Sequence, residues 1–266
     1  IKAVIIQNSL GQLSDVTSIA QLCKEHQLVL IEDLAHSIGS IYADGREAGT
    51  VGDYAMLSFS QDKTLDVVAG GALISRQPAE PPQGMMVKVG VGTRLKNRWY
   101  GLKTLLIRST FSFGLGKVLL TMFKRLGLLS RPMDVVGDGN HAFDGAGSML
   151  LHKRWQQRDK EFNHRRLIAS IYKQKLPTDL LLELPEGSVP VRYPIYTDDR
   201  HGLLQTLRGR GYNFADTWYD VPVGPKAFFD RVNLRLEDVP NAAWAAEHIV
   251  NLPTHINIST NDAEDI

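Results

Sequence analysis

Three side chains early in the chain combine an acid, a hydroxyl and an amine at spacings that could serve chemistry. Asp33 ends a short apolar run, Ser58 precedes Lys63 by five residues, and a glycine pair, Gly70-Gly71, follows the lysine. Most lysines lie on solvated surfaces. A lysine in a connection between two buried strands instead lies near an edge of the sheet, where its amine can meet a ligand.

Pyridoxal 5'-phosphate (PLP) is a cofactor that needs such a set of groups. Its aldehyde requires a lysine amine, and its pyridine nitrogen requires a carboxylate to stay protonated. Its phosphate requires hydroxyl and backbone donors. The combination of Lys63, Asp33 and Ser58 therefore predicts a PLP site.

The same residues also permit plainer interpretations. An isolated aspartate at a strand end is most often a turn or helix-capping residue, and His36 alone could be a structural histidine. A hydrolytic triad of Ser58, His36 and Asp33 can be drawn, although no nucleophile-elbow pattern supports it. One Asp–His pair without a further ligand at suitable spacing predicts no metal site.

The elements that would position these residues begin with a strand–helix–strand unit. Apolar residues run over 3–7, recur at helical spacing over 16–23, and run again over 28–31. Such a unit implies a parallel sheet with helices outside, and chemistry in such sheets sits at the carboxyl ends of strands. Asp33 stands at one of those ends.

Two further strands are predicted on either side of the lysine, at Tyr54–Phe59 and at Ala72–Ser75. A helical region is predicted over 146–175, and alternating strand-like and helix-like pieces follow it up to residue 250. This last pattern is typical of a small α+β domain.

We predict two domains from this order of elements. The first covers residues 1–137 and includes a basic amphipathic segment at 81–133. The second covers residues 138–266, with a bridging helix and the small C-terminal domain.

The segment at 81–133 stands out by its charge, because the whole chain carries 30 basic and 29 acidic residues. The segment holds ten basic residues and no acidic one, which leaves 20 basic and 29 acidic residues elsewhere. Its apolar residues predict two amphipathic helices, broken near Gly114 and Gly116. The basic residues are Lys88, Arg94, Lys96, Arg98, Lys103, Arg108, Lys117, Lys124, Arg125 and Arg131.

Two interpretations of the basic segment are open. The apolar faces could pack on the protein's own body or in a dimer interface, which is the usual use of amphipathic helices and the one we expect. Alternatively, the helices could dock on an anionic membrane surface. No nucleic-acid partner is predicted, and the longest uncharged run in the segment, 109–116, is too short to span a bilayer.

Composition excludes several classes of protein. The 266 residues are 43% hydrophobic, which is enough to build a core and excludes wholesale disorder. The one cysteine, Cys23, excludes an intramolecular disulfide and suits the cytoplasm. The first residues show a strand pattern rather than a signal peptide, and we expect a fragment truncated at both ends.

The motifs around these residues resemble the DegT/DnrJ/EryC1/StrS family of PLP-dependent sugar aminotransferases. The resemblance is strongest over residues 1–76 and implies an α/β fold of the aspartate-aminotransferase type (type I PLP). The large domain would be incomplete and followed by a smaller α+β C-terminal domain. The matching residues are Ile31–Gly39 (IEDLAHSIG), Gly52-Asp53, Ser58–Lys63 (SFSQDK), Gly70-Gly71, Trp218–Val223 (WYDVPV) and Asn251–His255 (NLPTH).

The resemblance implies a role for each residue of the predicted site. Lys63 would be the Schiff-base lysine, Asp33 the partner of the pyridine nitrogen, and Ala35 a contact on the ring face. His36 would lie near the phenolic oxygen of the cofactor, and Ser58 would bind its phosphate.

The resemblance also implies a homodimer, because Asn140 matches an asparagine that reaches the neighbouring subunit's cofactor phosphate. The sequence departs from the family at two positions. Ala142 stands where an arginine is usual, and Ala69 stands where an acid is common before the glycine pair. Both departures bear on substrate recognition more than on cofactor binding.

The implied function is conversion of a nucleotide-linked keto-sugar to an amino-sugar, with glutamate as amino donor, in surface-glycan or related sugar biosynthesis. We expect activity in the full-length protein and not in this fragment alone. A PLP-dependent sugar dehydratase of the same fold is an alternative, although such relatives carry histidine where Lys63 stands. A non-catalytic scaffold that binds a sugar nucleotide or a membrane surface is a second alternative, left open by Ala142, by Ala69 and by the expected absence of the family's N-terminal part.

Overall fold

The computed structural model describes residues 1–78, 88–111, 113–129, 142–143, 145–212, 216–224, 226 and 229–266. The strands are β1 (Ala3–Gln7), β2 (Val29–Asp33), β3 (Tyr54–Ser58), β4 (Gly71–Ser75), β5 (Arg192–Tyr196) and β6 (Ile249–Pro253). The helices are α1 (Val16–Glu25), α2 (Val91–Arg98), α3 (Tyr100–Ser109), α4 (Leu115–Arg125), α5 (Gly145–Gln156), α6 (Arg158–Lys175), α7 (Arg200–Gly209), α8 (Pro240–His248) and α9 (Thr260–Asp265).

The first sheet has the strand order β1-β2-β3-β4. Strands β1, β2 and β3 are parallel, so the pairing predicted for the strand–helix–strand unit is confirmed. Strand β4 returns antiparallel to β3, with Ser58 opposite Gly71. The register also places Gln7 beside Asp33, which brings the carboxyl ends of the first two strands to one edge.

Helix α1 forms where the sequence predicts it and covers one face of this sheet. Asp15 caps its first turn by accepting a hydrogen bond from the Ser18 amide, which satisfies a donor that the helix leaves unpaired. Val16 and Cys23 on its inner face are buried against the sheet's core. On the other face of the sheet, Ile5 and Leu73 are exposed.

A fully buried carboxylate, Glu32, fixes the chain between β2 and β3. One of its oxygens accepts the Val51 and Gly52 amides, and the other accepts the Gly49 amide and the Tyr42 hydroxyl. These four hydrogen bonds satisfy a charge that would otherwise be costly to bury. They hold the loop before β3 against the strand that ends in Asp33.

The second sheet pairs β5 with β6 and faces a separate apolar core. Tyr193 and Ile195 of β5 pack there with Ile168 and Tyr172 of α6. The chain before β5 is tied to the first sheet's region, since the Ser188 hydroxyl donates to the Gly11 carbonyl at 2.6 Å. The predicted domain boundary at residue 137 lies outside the described residues.

The basic segment contains helices α2, α3 and α4 rather than the two helices predicted. Helix α2 was not predicted because its residues are mostly polar and show no apolar periodicity. The predicted break at Gly114 is confirmed, because Gly114 adopts a left-handed conformation directly before α4. Gly116, the second glycine named for this break, lies in the first turn of α4 and lets that helix approach the Ile107 carbonyl closely.

None of the helices in the described part of the chain is both long and apolar enough to span a membrane.

We expect Glu32→Gln to lower the free energy of unfolding by about 2–4 kcal/mol, because an amide N–H would face the backbone N–H donors that now meet an oxygen. Urea unfolding at neutral pH measures the change. Glu25→Gln, on the exposed face of α1, is the matched control and should stay within about 0.5 kcal/mol of the parent. Equal stability of the two variants would contradict the role given to Glu32.

Candidate active site

The turn after β2 places Asp33 and His36 at the carboxyl edge of the first sheet. Because side chains alternate along a strand, Asp33 lies on the opposite face from the buried Glu32. Asp33 Oδ1 accepts the Ala35 amide at 2.9 Å, so the carboxylate also shapes the turn. This is the turn role considered from the sequence, and it fixes the orientation of the acid.

Lys63 lies in a closed loop between β3 and β4. The Phe59 amide donates to the Gly70 carbonyl at 2.9 Å, which joins the two ends of the loop. Leu65, two residues after the lysine, is completely buried in the first core. Lys63 itself is buried, so its position is set by the loop's anchoring and not by a solvated side-chain rotamer.

The environment of Lys63 changes its acidity. Burial lowers the pKa of its amine from 10.5 to about 8, while the nearby carboxylates of Asp33 and Asp62 act in the opposite direction. At neutral pH a part of the amine is therefore unprotonated. A neutral amine is the form that can attack a carbonyl carbon or accept a proton.

Trp218, from the second half of the chain, contacts both Lys63 and His36. Lys63 Nζ lies 4.9 Å from the centre of the Trp218 ring. The ring of His36 stacks on the same indole, with centroids 4.6 Å apart. Tyr219 packs beside them, its ring centroid 5.9 Å from that of His36. The site thus has an aromatic wall that the first 76 residues alone do not supply.

His36 is a neutral side chain at physiological pH. Burial, reinforced by the positive charge of Lys63, lowers the pKa of His36 from 6.5 to about 3. Its Nδ1 accepts the Leu10 amide at 3.4 Å, which assigns the ring proton to Nε2. His36 can therefore donate a hydrogen bond from Nε2 but does not carry charge into the site.

Three hydroxyl side chains, of Ser58, Ser60 and Thr64, lie close to Lys63 in the sequence. Ser58 Oγ and Ser60 Oγ lie 3.0 Å apart. The Thr64 hydroxyl is buried, and no hydrogen-bond partner for its Oγ1 exists among the described residues. A buried amine, an adjacent carboxylate and nearby hydroxyl groups, one of them unsatisfied, are the groups that PLP requires, so the residues present fit that cofactor.

A second polar group faces the aromatic wall from the C-terminal sheet. The guanidinium of Arg192 lies 5.6 Å from the centre of the Trp218 ring. Its Nη2 is within 3.8 Å of Asp62 and 3.7 Å of Asp216. Asn251 is completely buried. It pairs with Pro194 and lies on the same face of the two-stranded sheet as Arg192. Its amide oxygen and nitrogen have no hydrogen-bond partner within the described part of the chain.

Phe143 packs against the Lys63 loop from the start of α5. Its ring edge occupies the space beside Gly70, where a Cβ atom would lie 1.7 Å from it. Gly70 also has φ +116°, a conformation that other residues rarely adopt. The same ring contacts Gly147 of α5. It also packs edge-on against the ring of Phe59, with the two ring centroids 6.5 Å apart.

The structure brings together most of the residues singled out in the sequence. Lys63, Asp33 and His36 interact electrostatically in one cluster, with Ala35 in the turn between the last two. Ser58 lies at the end of β3, where its contact is with Ser60. Asn140 lies outside the described residues.

Trp218, Tyr219, Arg192 and Asn251 were missed as site residues. The first two and Asn251 lie in the motifs WYDVPV and NLPTH, which are quoted above for resemblance but without a role. Arg192 had no such signal in the sequence beyond its position in a strand-like run.

Comparison with protein families gives a match over most of the chain. The model described as "DegT/DnrJ/EryC1/StrS aminotransferase family" matches residues 1–124 and 137–266.

Individual relatives match either a short part or nearly the whole of the chain. GDP-perosamine synthase from Vibrio cholerae is 42% identical over 74 residues, which are 28% of this chain and 20% of that protein. The dTDP-4-dehydro-2,3,6-trideoxy-D-glucose 4-aminotransferase from Saccharopolyspora spinosa is 28% identical over 280 residues, covering 99% of this chain and 62% of the relative.

Solved structures confirm the predicted fold class. A DegT DnrJ EryC1 StrS aminotransferase from Brucella abortus has a TM-score of 0.69 at 21% identity, covering 99% of this chain and 62% of that one. The aminotransferase TlmJ from Streptoalloteichus hindustanus has a TM-score of 0.64 at 25% identity, covering 100% and 64%. The chain therefore spans less than two thirds of the length of these relatives.

We expect Lys63→Met to stabilise the cofactor-free protein by about 2 kcal/mol at pH 7. The pKa of the amine is about 8 in the folded protein and 10.5 without burial, so the unfolded chain binds more protons between these values. Stability of the parent should therefore rise with pH across this window, and the advantage of the variant should shrink.

Urea unfolding at pH 7 and pH 10 measures this difference. Lys24→Met, at an exposed position of α1, is the control whose effect should not depend on pH. A Lys63→Met effect equal at both pH values would refute the lowered pKa.

Proposed function

The chain belongs to the DegT/DnrJ/EryC1/StrS aminotransferase family, and from this premise we propose that the full-length protein is a PLP-dependent sugar aminotransferase. The observation that carries the proposal is the buried amine of Lys63, with its pKa lowered to about 8, beside Asp33 at the carboxyl edge of the sheet. A lysine at this position also speaks against the dehydratase alternative.

The proposed roles follow from the position of each group. PLP, when bound, supplies an electron sink for the carbon that exchanges the amino group. Asp33 would hold the proton on the pyridine nitrogen, and the hydroxyls of Ser58 and Ser60 would donate to the phosphate. Ala35 would contact the ring face, and His36 would donate from Nε2 toward the phenolic oxygen.

Lys63 would attach the cofactor and also move protons. Its Nζ, partly neutral near pH 8, can accept a proton from the substrate carbon and return it on the other side of the transfer. The ring centre of Trp218 lies 4.9 Å from Nζ, and the indole would shield the amine from water on that side. This shielding would keep the proton with the reacting groups.

The proposed substrate is a nucleotide-linked keto-sugar, with glutamate as the amino donor. Two relatives support this class by their names, GDP-perosamine synthase and the dTDP-4-dehydro-2,3,6-trideoxy-D-glucose 4-aminotransferase. A product of this kind would serve surface-glycan or related sugar biosynthesis.

The proposal includes a homodimer in the cytoplasm, with Asn140 reaching the cofactor phosphate of the neighbouring subunit. Cys23, a buried thiol, supports a reducing compartment. It also includes two domains, residues 1–137 and 138–266. Each sheet has its own core, and Phe162 and Val189 of the second domain pack into the core of the first sheet.

Borohydride reduction of the full-length protein saturated with PLP should leave a pyridoxyl group on Lys63, because its partly neutral amine lies beside the proposed cofactor groups. Peptide mapping by mass spectrometry locates the label. Lys63→Arg, which keeps the charge, should remain unlabelled. Recovery of the label on another lysine would sink the assignment.

We expect Asp33→Asn to reduce turnover about a hundredfold or more, because a neutral amide cannot hold the nitrogen's proton. The fold should persist, since the asparagine oxygen can still accept the Ala35 amide. Steady-state kinetics and circular dichroism measure the two effects. Asp179→Asn, at an exposed position, is the control. Near-normal turnover in Asp33→Asn would count against the PLP site.

A further inference from the structure

We propose that α2, α3 and α4 form a docking surface for an anionic lipid membrane. The basic surface is defined here as the described residues 88–111 and 113–129. It carries nine basic residues and no acidic one, whereas the chain as a whole is close to neutral. A surface of one sign and of this extent attracts an anionic partner.

Each of the three helices exposes a row of apolar side chains. On α2 the row is Val91, Leu95 and, at the helix end, Trp99, spaced four residues apart. On α3 it includes Leu102 and Leu105, the latter 64% exposed. The sequence predicted that these apolar faces pack on the protein's own body or in a dimer interface. Within the described chain the side chains of these rows instead remain half or more exposed.

Helix α4 presents apolar and basic side chains side by side along one surface groove, which is lined by Lys117, Val118, Met122 and Arg125 among others. Leu115, Val118 and Met122 form one exposed stripe, with Val118 63% exposed. Lys117 and Arg125 border this stripe and line the same groove as Val118 and Met122. An apolar face flanked by basic residues is the arrangement by which helices lie in the interface of an anionic membrane.

The inner faces of these helices are already used, so the exposed rows are additional to the packing that holds the segment together. Gly116 of α4 lies against the Ile107 carbonyl of α3, and Ile107 is buried. Lys103 Nζ donates to the Leu128 carbonyl at 2.7 Å, which ties α3 to the end of α4. The exposed rows are therefore presented on a folded support.

Charge favours a lipid surface over a second copy of the chain as the occupant. A symmetric contact between two basic surfaces would bring like charges together, and the cores of protein interfaces are depleted of lysine. Lipid headgroups of negative charge instead complement the basic residues while the acyl region receives the apolar rows.

The docking surface lies next to the candidate active site. Burial raises the pKa of Tyr100 at the start of α3, and the charges of Asp66 and Asp62 in the Lys63 loop add to this effect. Burial also lowers the pKa of His255, to which Arg108 on the same helix adds a small contribution. Docking would therefore keep the site close to the lipid headgroups.

Vesicle co-sedimentation of the full-length, PLP-loaded protein tests the proposal. The vesicles are phosphatidylcholine alone, or phosphatidylcholine mixed with phosphatidylglycerol, each at low and at high salt. We expect roughly tenfold more binding to the anionic vesicles at low salt, and a large loss of that preference at high salt. Equal binding to both vesicles, or none, would overturn the proposal.

Two variants separate the apolar from the electrostatic contribution. Val118→Asp with Met122→Asp should abolish binding, and Lys117→Glu with Arg125→Glu should remove the preference for anionic vesicles. Leu167→Asp on the exposed side of α6 is the matched control and should bind like the parent. Unchanged binding of both α4 variants would contradict the assignment of the surface.

Light scattering of the same samples distinguishes the other occupant. The parent protein would then not bind vesicles, and the variant Val118→Asp with Met122→Asp would form a smaller assembly than the parent. This pair of results would show that the surface is an interface between copies and that the lipid proposal is wrong. Because sedimentation does not depend on turnover, the result is separable from the proposed aminotransferase activity.

Discussion

The position of the candidate active site depends on a buried carboxylate that takes no part in its chemistry. Glu32 gathers three backbone amides and the Tyr42 hydroxyl on the inner side of β2. Since successive side chains of a strand point to opposite faces, fixing Glu32 also fixes where Asp33 points. The same bonds set the start of β3, the strand that leads to Ser58 and the Lys63 loop. A single desolvated charge thus aligns an acid from one strand with an amine from the next connection.

The site itself is balanced by opposing electrostatic effects. Burial shifts both Lys63 and His36 toward their neutral forms, and the positive charge on the lysine adds to the shift of the histidine. The carboxylates of Asp33 and Asp62 limit the shift of the lysine. The result is an amine that exchanges a proton near neutral pH beside an imidazole that does not. This division of labour requires both the loop's burial and the acid at the end of β2.

Local sequence patterns predicted the part of the structure that local forces determine. Strand β1, helix α1 and strand β2 follow from apolar spacing, and Lys63 stands out because its loop joins two strands. Trp218 and Arg192 could not be found in this way, because they reach the site only when the second sheet packs near the first. Helix α2 was missed since its eight residues are mostly polar. The antiparallel direction of β4 was not predicted, because the residues at 59–70 do not form a tight hairpin turn that would indicate it.

Phe143 contacts two glycines, and these differ in how easily another residue could replace them. Gly147 lies within a helix, so its backbone could carry a larger side chain, whereas Gly70 at φ +116° could not do so without strain. A smaller residue at position 143 would leave a gap beside the Lys63 loop. A larger residue at position 147 could fill this gap, whereas a larger residue at position 70 could not. If the ring at position 143 is replaced during evolution, we therefore expect the compensating substitution at position 147 of α5, while position 70 remains glycine.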